Sequence, residues 1–135
     1  MANWLVKSEP ESWSWDDQVK QGAKGGQWTG VRNPQANRHM REMKKGDRVF
    51  FYHTGGEKRV VGIAEVVAEA HPDSTDEAYS AVDLRAVEKL ARPVALAEVK
   101  ADPALKGMVL ARAPRLSVQP VSDAEWKRII DLSMA

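Results

Sequence analysis

The run Arg48-Val49-Phe50-Phe51-Tyr52-His53 and the longer run Arg59–Ala70, separated by Gly55-Gly56, constrain this chain most. Both are rich in aromatic and β-branched residues, the side chains that fit a pleated, half-buried surface. Asp47–Thr54 is therefore predicted as a strand, Gly55-Gly56 as a turn, and Arg59–Ala70 as a long second strand. Gly62, inside that strand, marks a bulge or a point of close approach. Asn3–Lys7 reads as a further strand, with Trp4 and Val6 on one face and Leu5 and Lys7 on the other. Ala81–Leu90 alternates more weakly, and Arg115–Gln119 is a last short strand.

Between the strands lie short helices with local start signals. Ser14 caps a helix to about Lys20, with Asp16 and Asp17 near its positive end. Asn33-Pro34 supplies a side-chain cap followed by a residue whose φ is already helical. Ala36, Met40 and Met43 form that helix's apolar face, and Gly46 is its expected stop. Ala95–Lys100 makes one or two helical turns before Asp102-Pro103, and Leu105–Leu110 is another apolar segment. Ser122-Asp123-Ala124-Glu125 is a capping box, with Val121 and Trp126 at staple spacing and Trp126, Ile129 and Ile130 as the apolar stripe. Strands interrupted by short helices predict an α+β domain, a strongly bent sheet or small barrel with helices packed around it.

The 135 residues suffice for one core, and no repeat or linker divides them, so residues 1–135 are expected to form a single domain. Hydrophobic residues make up 43% and charged residues 29%, the balance of a globular protein. The complete lack of cysteine excludes disulfides, thiolate metal sites and a cysteine nucleophile. No signal peptide or membrane-spanning run is visible, so a cytoplasmic location is expected. A net charge of +1 gives no global argument for a polyanionic partner. Arg32, Arg38, Arg41, Lys44, Lys45 and Arg48 nevertheless lie close together, opposed only by Glu42 and Asp47.

Three segments carry candidate chemistry. Gln27-Trp28-Thr29-Gly30-Val31-Arg32-Asn33 places a flat ring, a flexible glycine and a cation beside a helix start, which suits a flat anionic ligand such as a nucleotide. Trp28 reads equally as core filler, Asn33 as a cap, and Arg32 as a phosphate ligand or a salt-bridge partner. Lys7-Ser8-Glu9 ends a strand, where side chains leave the core for a cleft; Glu9 can accept from an exocyclic amino group. Tyr52-His53-Thr54 ends another strand, with His53 read first as a structural group. No spacing among the three histidines resembles a metal site, and neither a metal nor a cofactor is expected. No nucleophile elbow, phosphate-cradling glycine motif or paired metal carboxylates are present.

Five ordered blocks extend this reading: Trp4–Pro10, Trp28–Asn33, Gly46–His53, Gly62–Val66 and Leu116–Val121. Together they resemble the EVE-domain family nearly end to end. The resemblance implies a PUA-like fold, a small curved β-barrel with peripheral short helices, similar to the YTH readers of methylated adenine in RNA. It implies a monomeric, non-enzymatic module that binds nucleic acid carrying a modified base, particularly a 5-substituted cytosine in DNA. The implied pocket uses Lys7, Ser8 and Glu9, then Trp28, Arg32 and Asn33, then Tyr52, His53 and Thr54, with Ser117, Val118 and Pro120 as a further wall. Two features depart from the family pattern: Ser74–Ser80 is short, which lowers one rim, and Thr54 stands where relatives often have serine. The alternatives are a reader of modified RNA and an ASCH-like amidohydrolase of acylated cytidine, with Lys7 and Glu9 on one side of a strand as its working pair.

Overall fold

The computed structural model describes residues 2–135. Six strands form one mixed sheet: β1 Asn3–Ser8, β2 Gly26–Trp28, β3 Arg48–His53, β4 Arg59–Asp73, β5 Asp76–Ala95 and β6 Val118–Val121. Their spatial order is β2-β5-β4-β3-β1-β6. Among the described residues only β1 and β3 run parallel, and the long crossover between them carries α1 Trp15–Lys20, β2 and α2 Pro34–Glu42. Two short helices, α3 Leu96–Ala101 and α4 Val109–Arg112, precede β6, and α5 Asp123–Ser133 follows it.

Alternation along the strands divides the interior in two. Trp4, Val6, Phe51, Trp15, Trp28 and Met40 pack on the face covered by α1 and α2. Leu5, Phe50, Tyr52, Leu105 and Ile129 pack on the opposite face, under α3, α4 and α5. Neighbouring residues of β1 and β3 thus serve different cores, as period-2 side chains must. The capping signals are realised: Ser14, Asn33 and Ser122 each accept a backbone N–H from the first turn of their helix. Trp126 of α5 stacks on Phe50 with ring centroids 3.7 Å apart.

The sheet is bent but not closed, which corrects the expectation of a barrel. The β4–β5 ladder shifts register at five points, and each extra residue adds twist. Among the described residues β2 and β6 remain edges, with no ladder joining them. Strand boundaries also differ from expectation. β5 runs for 20 residues, because a two-residue turn, Ser74-Thr75, returns β4 directly onto it. Gly26–Trp28, expected to be loop, is a short strand paired with Leu84–Val82. The last strand starts three residues and ends two residues later than predicted; among the described residues it pairs only with β1, and an edge position tolerates Pro120. Helix α2 ends at Glu42, and Gly46 turns the chain into β3 four residues later. Among the described residues no helix is long and apolar enough to cross a membrane.

Candidate functional site

β1 delivers Lys7, Ser8 and Glu9 to the end of the sheet, where the chain leaves in a tight turn. The Glu9 carbonyl accepts the N–H groups of Ser12 and Trp13, both at 2.9 Å. The Ser8 hydroxyl donates to the Trp13 carbonyl, fixing the turn against the strand. From β3, the Thr54 N–H reaches the Ser8 carbonyl at 2.9 Å, and the Thr54 hydroxyl donates to Glu9 Oε2 at 3.3 Å. These local bonds hold Glu9, Ser12 and Trp13 around one opening.

The opposite wall is the loop after β2. Trp28 is 8% exposed, with its ring set edge-on to Phe51 at 5.4 Å. Gly30 adopts φ +83°, a left-handed conformation costly for residues with a Cβ. Its N–H donates to Asp73 Oδ2 at 2.9 Å, and Asn37 Nδ2 donates to the Val31 carbonyl at 2.6 Å. Asp73 is wholly buried at the end of β4. Burial alone raises its pKa; the hydroxyl and N–H of Thr75, the N–H of Gly30 and the Arg32 guanidinium outweigh that and hold it far below the usual carboxylate range. Arg32 is committed to this cluster: Asp73 lies at 3.3 Å, the Thr75 hydroxyl at 3.0 Å, and the Tyr79 ring centroid at 4.7 Å.

A hollow of about 450 Å³ opens between the two walls. Lys7, Ser8, Glu9, Trp28, Arg32 and Ser117 line it, as do Ser12, Trp13 and the loop from Gln27 to Val31. The other residues expected in a pocket lie elsewhere. Asn33 caps α2 through its bond from the Ala36 N–H at 3.0 Å. Tyr52 and Thr54 line a smaller hollow on the other side of Lys7. Val118 is buried in the core, and Pro120 is exposed on the edge strand. His53 lies behind the site. Its Nε2 accepts the Trp15 N–H at 3.0 Å, so the ring proton resides on Nδ1 and is donated to Glu57 Oε1 at 2.9 Å. That bond from His53, working against burial, lowers the Glu57 pKa.

Trp13 was not singled out by sequence reasoning, although a signal existed. It immediately precedes the N-cap Ser14, outside the helix faces, and its indole N–H donates to Gln18 Oε1 at 2.9 Å, which fixes the ring at the cleft. Burial lowers the pKa of Lys7, whose ammonium donates to the Pro114 carbonyl at 2.8 Å. The Lys7–Glu9 working pair is not assembled: Lys7 turns to backbone carbonyls, and Glu9 to Thr54. Replacing Asn33 by alanine is expected to cost about 1 kcal/mol of stability through the lost cap, measured by urea unfolding.

Fold and cleft together define a small α+β protein with an aromatic, hydrogen-bonding hollow at the exit of its first strand. The chain belongs to the EVE domain family, which matches residues 2–132. A crystallised protein from Agrobacterium tumefaciens superposes with a TM-score of 0.96 at 48% identity, covering 98% of this chain and 93% of that one. Human thymocyte nuclear protein 1 is 33% identical over 165 aligned residues, covering 97% of this chain and 73% of that protein. The alignment is longer than this chain's 135 residues, so the human protein carries insertions that this chain lacks. The crystal structure of the human protein in complex with 5-methylcytosine-containing DNA matches with a TM-score of 0.91 at 31% identity, over 100% of this chain and 99% of that one. An ASCH protein from Zymomonas mobilis shares the fold alone, with 15% identity and a TM-score of 0.63 over 98% of this chain and 99% of that one.

Proposed function

We propose that this chain is a non-enzymatic, monomeric reader of modified bases in DNA, holding a 5-substituted cytosine in the hollow beside β1. The observation that carries the reading is that hollow, about 450 Å³ and walled by Trp13 and Trp28, in a fold shared with a relative crystallised on 5-methylcytosine-containing DNA. A duplex base reaches such a site only by leaving its stack, at a cost of a few kcal/mol. Stacking on indole offsets about 1–3 kcal/mol per base, and hydrogen bonds to the base edge supply the rest. Glu9 accepts from the cytosine amino group, while Val31 offers apolar contact to the 5-substituent. Arg32 is held by Asp73, so backbone phosphates fall to Arg38, Arg41, Lys44 and Lys45, all exposed. Affinity should therefore fall with rising salt.

The test is a fluorescence-anisotropy titration with duplexes differing at one cytosine, methylated or plain. The methylated duplex is expected to bind more tightly, and Trp13→Ala to weaken it about tenfold. Trp13 is the cleaner choice, because it is half-buried and packs against the core from outside, whereas Trp28 is buried within it. Equal binding of both duplexes by the parent protein would refute the reader.

A further inference from the structure

Across Lys7 from the base-sized hollow lies a second one of about 270 Å³. Its lining includes Lys7, Lys58, Lys100, Tyr52 and Thr54, with three lysines and no carboxylate among ten residues. Of the nearby acids, Glu57 pairs with His53 at 2.9 Å and Arg59 at 3.2 Å, and Glu98 with Arg92 at 2.8 Å; Glu9, whose carboxylate lies against Gly55, accepts from the Thr54 hydroxyl at 3.3 Å. Three like charges outnumber the one carboxylate, Glu9, beside the lining residues Thr54 and Gly55, and a bound anion offsets the excess.

The backbone holds this arrangement in place. Among the described residues Lys58 alone combines a side chain with positive φ, at +48°, and its carbonyl accepts the Leu96 N–H at 2.8 Å. Left-handed backbone at a non-glycine residue persists only where its surroundings fix it, as at ligand clamps. Lys7 directs its ammonium to the Pro114 and Ala113 carbonyls at 2.8 and 3.5 Å, which leaves one of three N–H donors uncommitted. Its ammonium lies 5.7 Å from the Tyr52 ring centroid. Burial raises the Tyr52 pKa, so the phenol remains a donor.

We infer that this second hollow is a phosphate-binding site, in which Lys7, Lys58 and Lys100 neutralise one phosphate group. Lysines act on phosphate as point charges, and three of them match a dianion or an esterified phosphate. The site shares Lys7 with the base-reading hollow, but its charge argument does not depend on what that hollow binds. Its phosphate has two sources, the backbone of a nucleic acid lying across Lys7 or a free or small-molecule phosphate.

Inorganic phosphate titrated into ¹⁵N-labelled protein, against chloride at equal ionic strength, tests the site directly. Saturable shifts are expected at the amides of Gly55, Leu96, Lys100 and Ala111. The double variant Lys58→Gln, Lys100→Gln, confined to exposed side chains, should weaken them about tenfold. The same variant titrated with methylated duplex separates the sources. Lower affinity with a salt slope reduced by about one assigns the phosphate to nucleic acid. Unchanged duplex binding alongside lost phosphate shifts assigns it to a small ligand. Phosphate shifts that are equal in parent and variant overturn the inference. So does a parent without phosphate shifts whose duplex binding the variant leaves intact. Should the parent bind no duplex at all, the inorganic phosphate arm alone decides.

Discussion

Gly62→Ala is expected to destabilise the protein by about 3 kcal/mol, lowering its melting temperature by about 10 °C. A Cβ at this position lies 2.6–2.7 Å from three carbons of the Trp15 ring, inside any real carbon–carbon contact. The ring has nowhere to go. Phe51 meets it edge-on at 5.4 Å, and the Trp15 backbone N–H is bonded to His53, which holds the start of α1 in place. Relief must come from β4 or from α1, and moving α1 also moves Ser12 and Trp13 at the hollow. Gly56→Ala, where nothing lies within 4 Å of the added carbon, is the matched control. Thermal unfolding followed by circular dichroism reads both; a Gly62→Ala melt within about 2 °C of the parent contradicts the tight contact.

Asp73→Ala is expected to cost about 3 kcal/mol, because several donors aimed at one buried carboxylate lose it together. Gly30 loses the acceptor that fixes its left-handed turn, Thr75 loses both its bonds to Asp73, and Arg32 loses its carboxylate. The cost should depend on pH in a defined direction. The Asp73 pKa is depressed in the folded protein, so its contribution is complete above the unfolded value of about 3.9 and disappears as pH falls below it. Urea unfolding across a pH series should show a constant gap between parent and variant down to about pH 5, narrowing below pH 4. A gap that instead widens on acidification excludes this account. The variant should also bind methylated duplex more weakly, since the released loop carries Trp28.

The contrast between these residues explains what was legible in the sequence. Ser14, Asn33 and Ser122 were readable as caps because a cap bonds to N–H groups three residues away. The two sheet faces followed from alternation, and the close approach at Gly62 from a glycine inside a β-branched run. Arg32 remained ambiguous because its partner, Asp73, is 41 positions away and its burial depends on the whole β4–β5 ladder. β2 was invisible as a strand: three residues after a glycine-rich turn carry no periodicity, and the partner on β5 supplies all its order. The full length of β5 was hidden for another reason. Each register shift against β4 interrupts alternation, so only the central Ala81–Leu90 portion looked like a strand. Of the hollow, the strand exit and the Trp28 loop were readable as candidates, while Trp13 enters it through a turn whose bonds only the folded chain displays.

The place of β1 between β3 and β6 bears on how the polypeptide is made. Of the six strands described, β1 is synthesised first, yet one of its neighbours, Val118–Val121, is synthesised last. At about 5–20 residues per second, several seconds pass in which that strand lacks one partner. For that interval its Trp4–Val6 segment presents unpaired backbone on one side, a nascent-chain hazard that ends only when Pro120 and its neighbours dock.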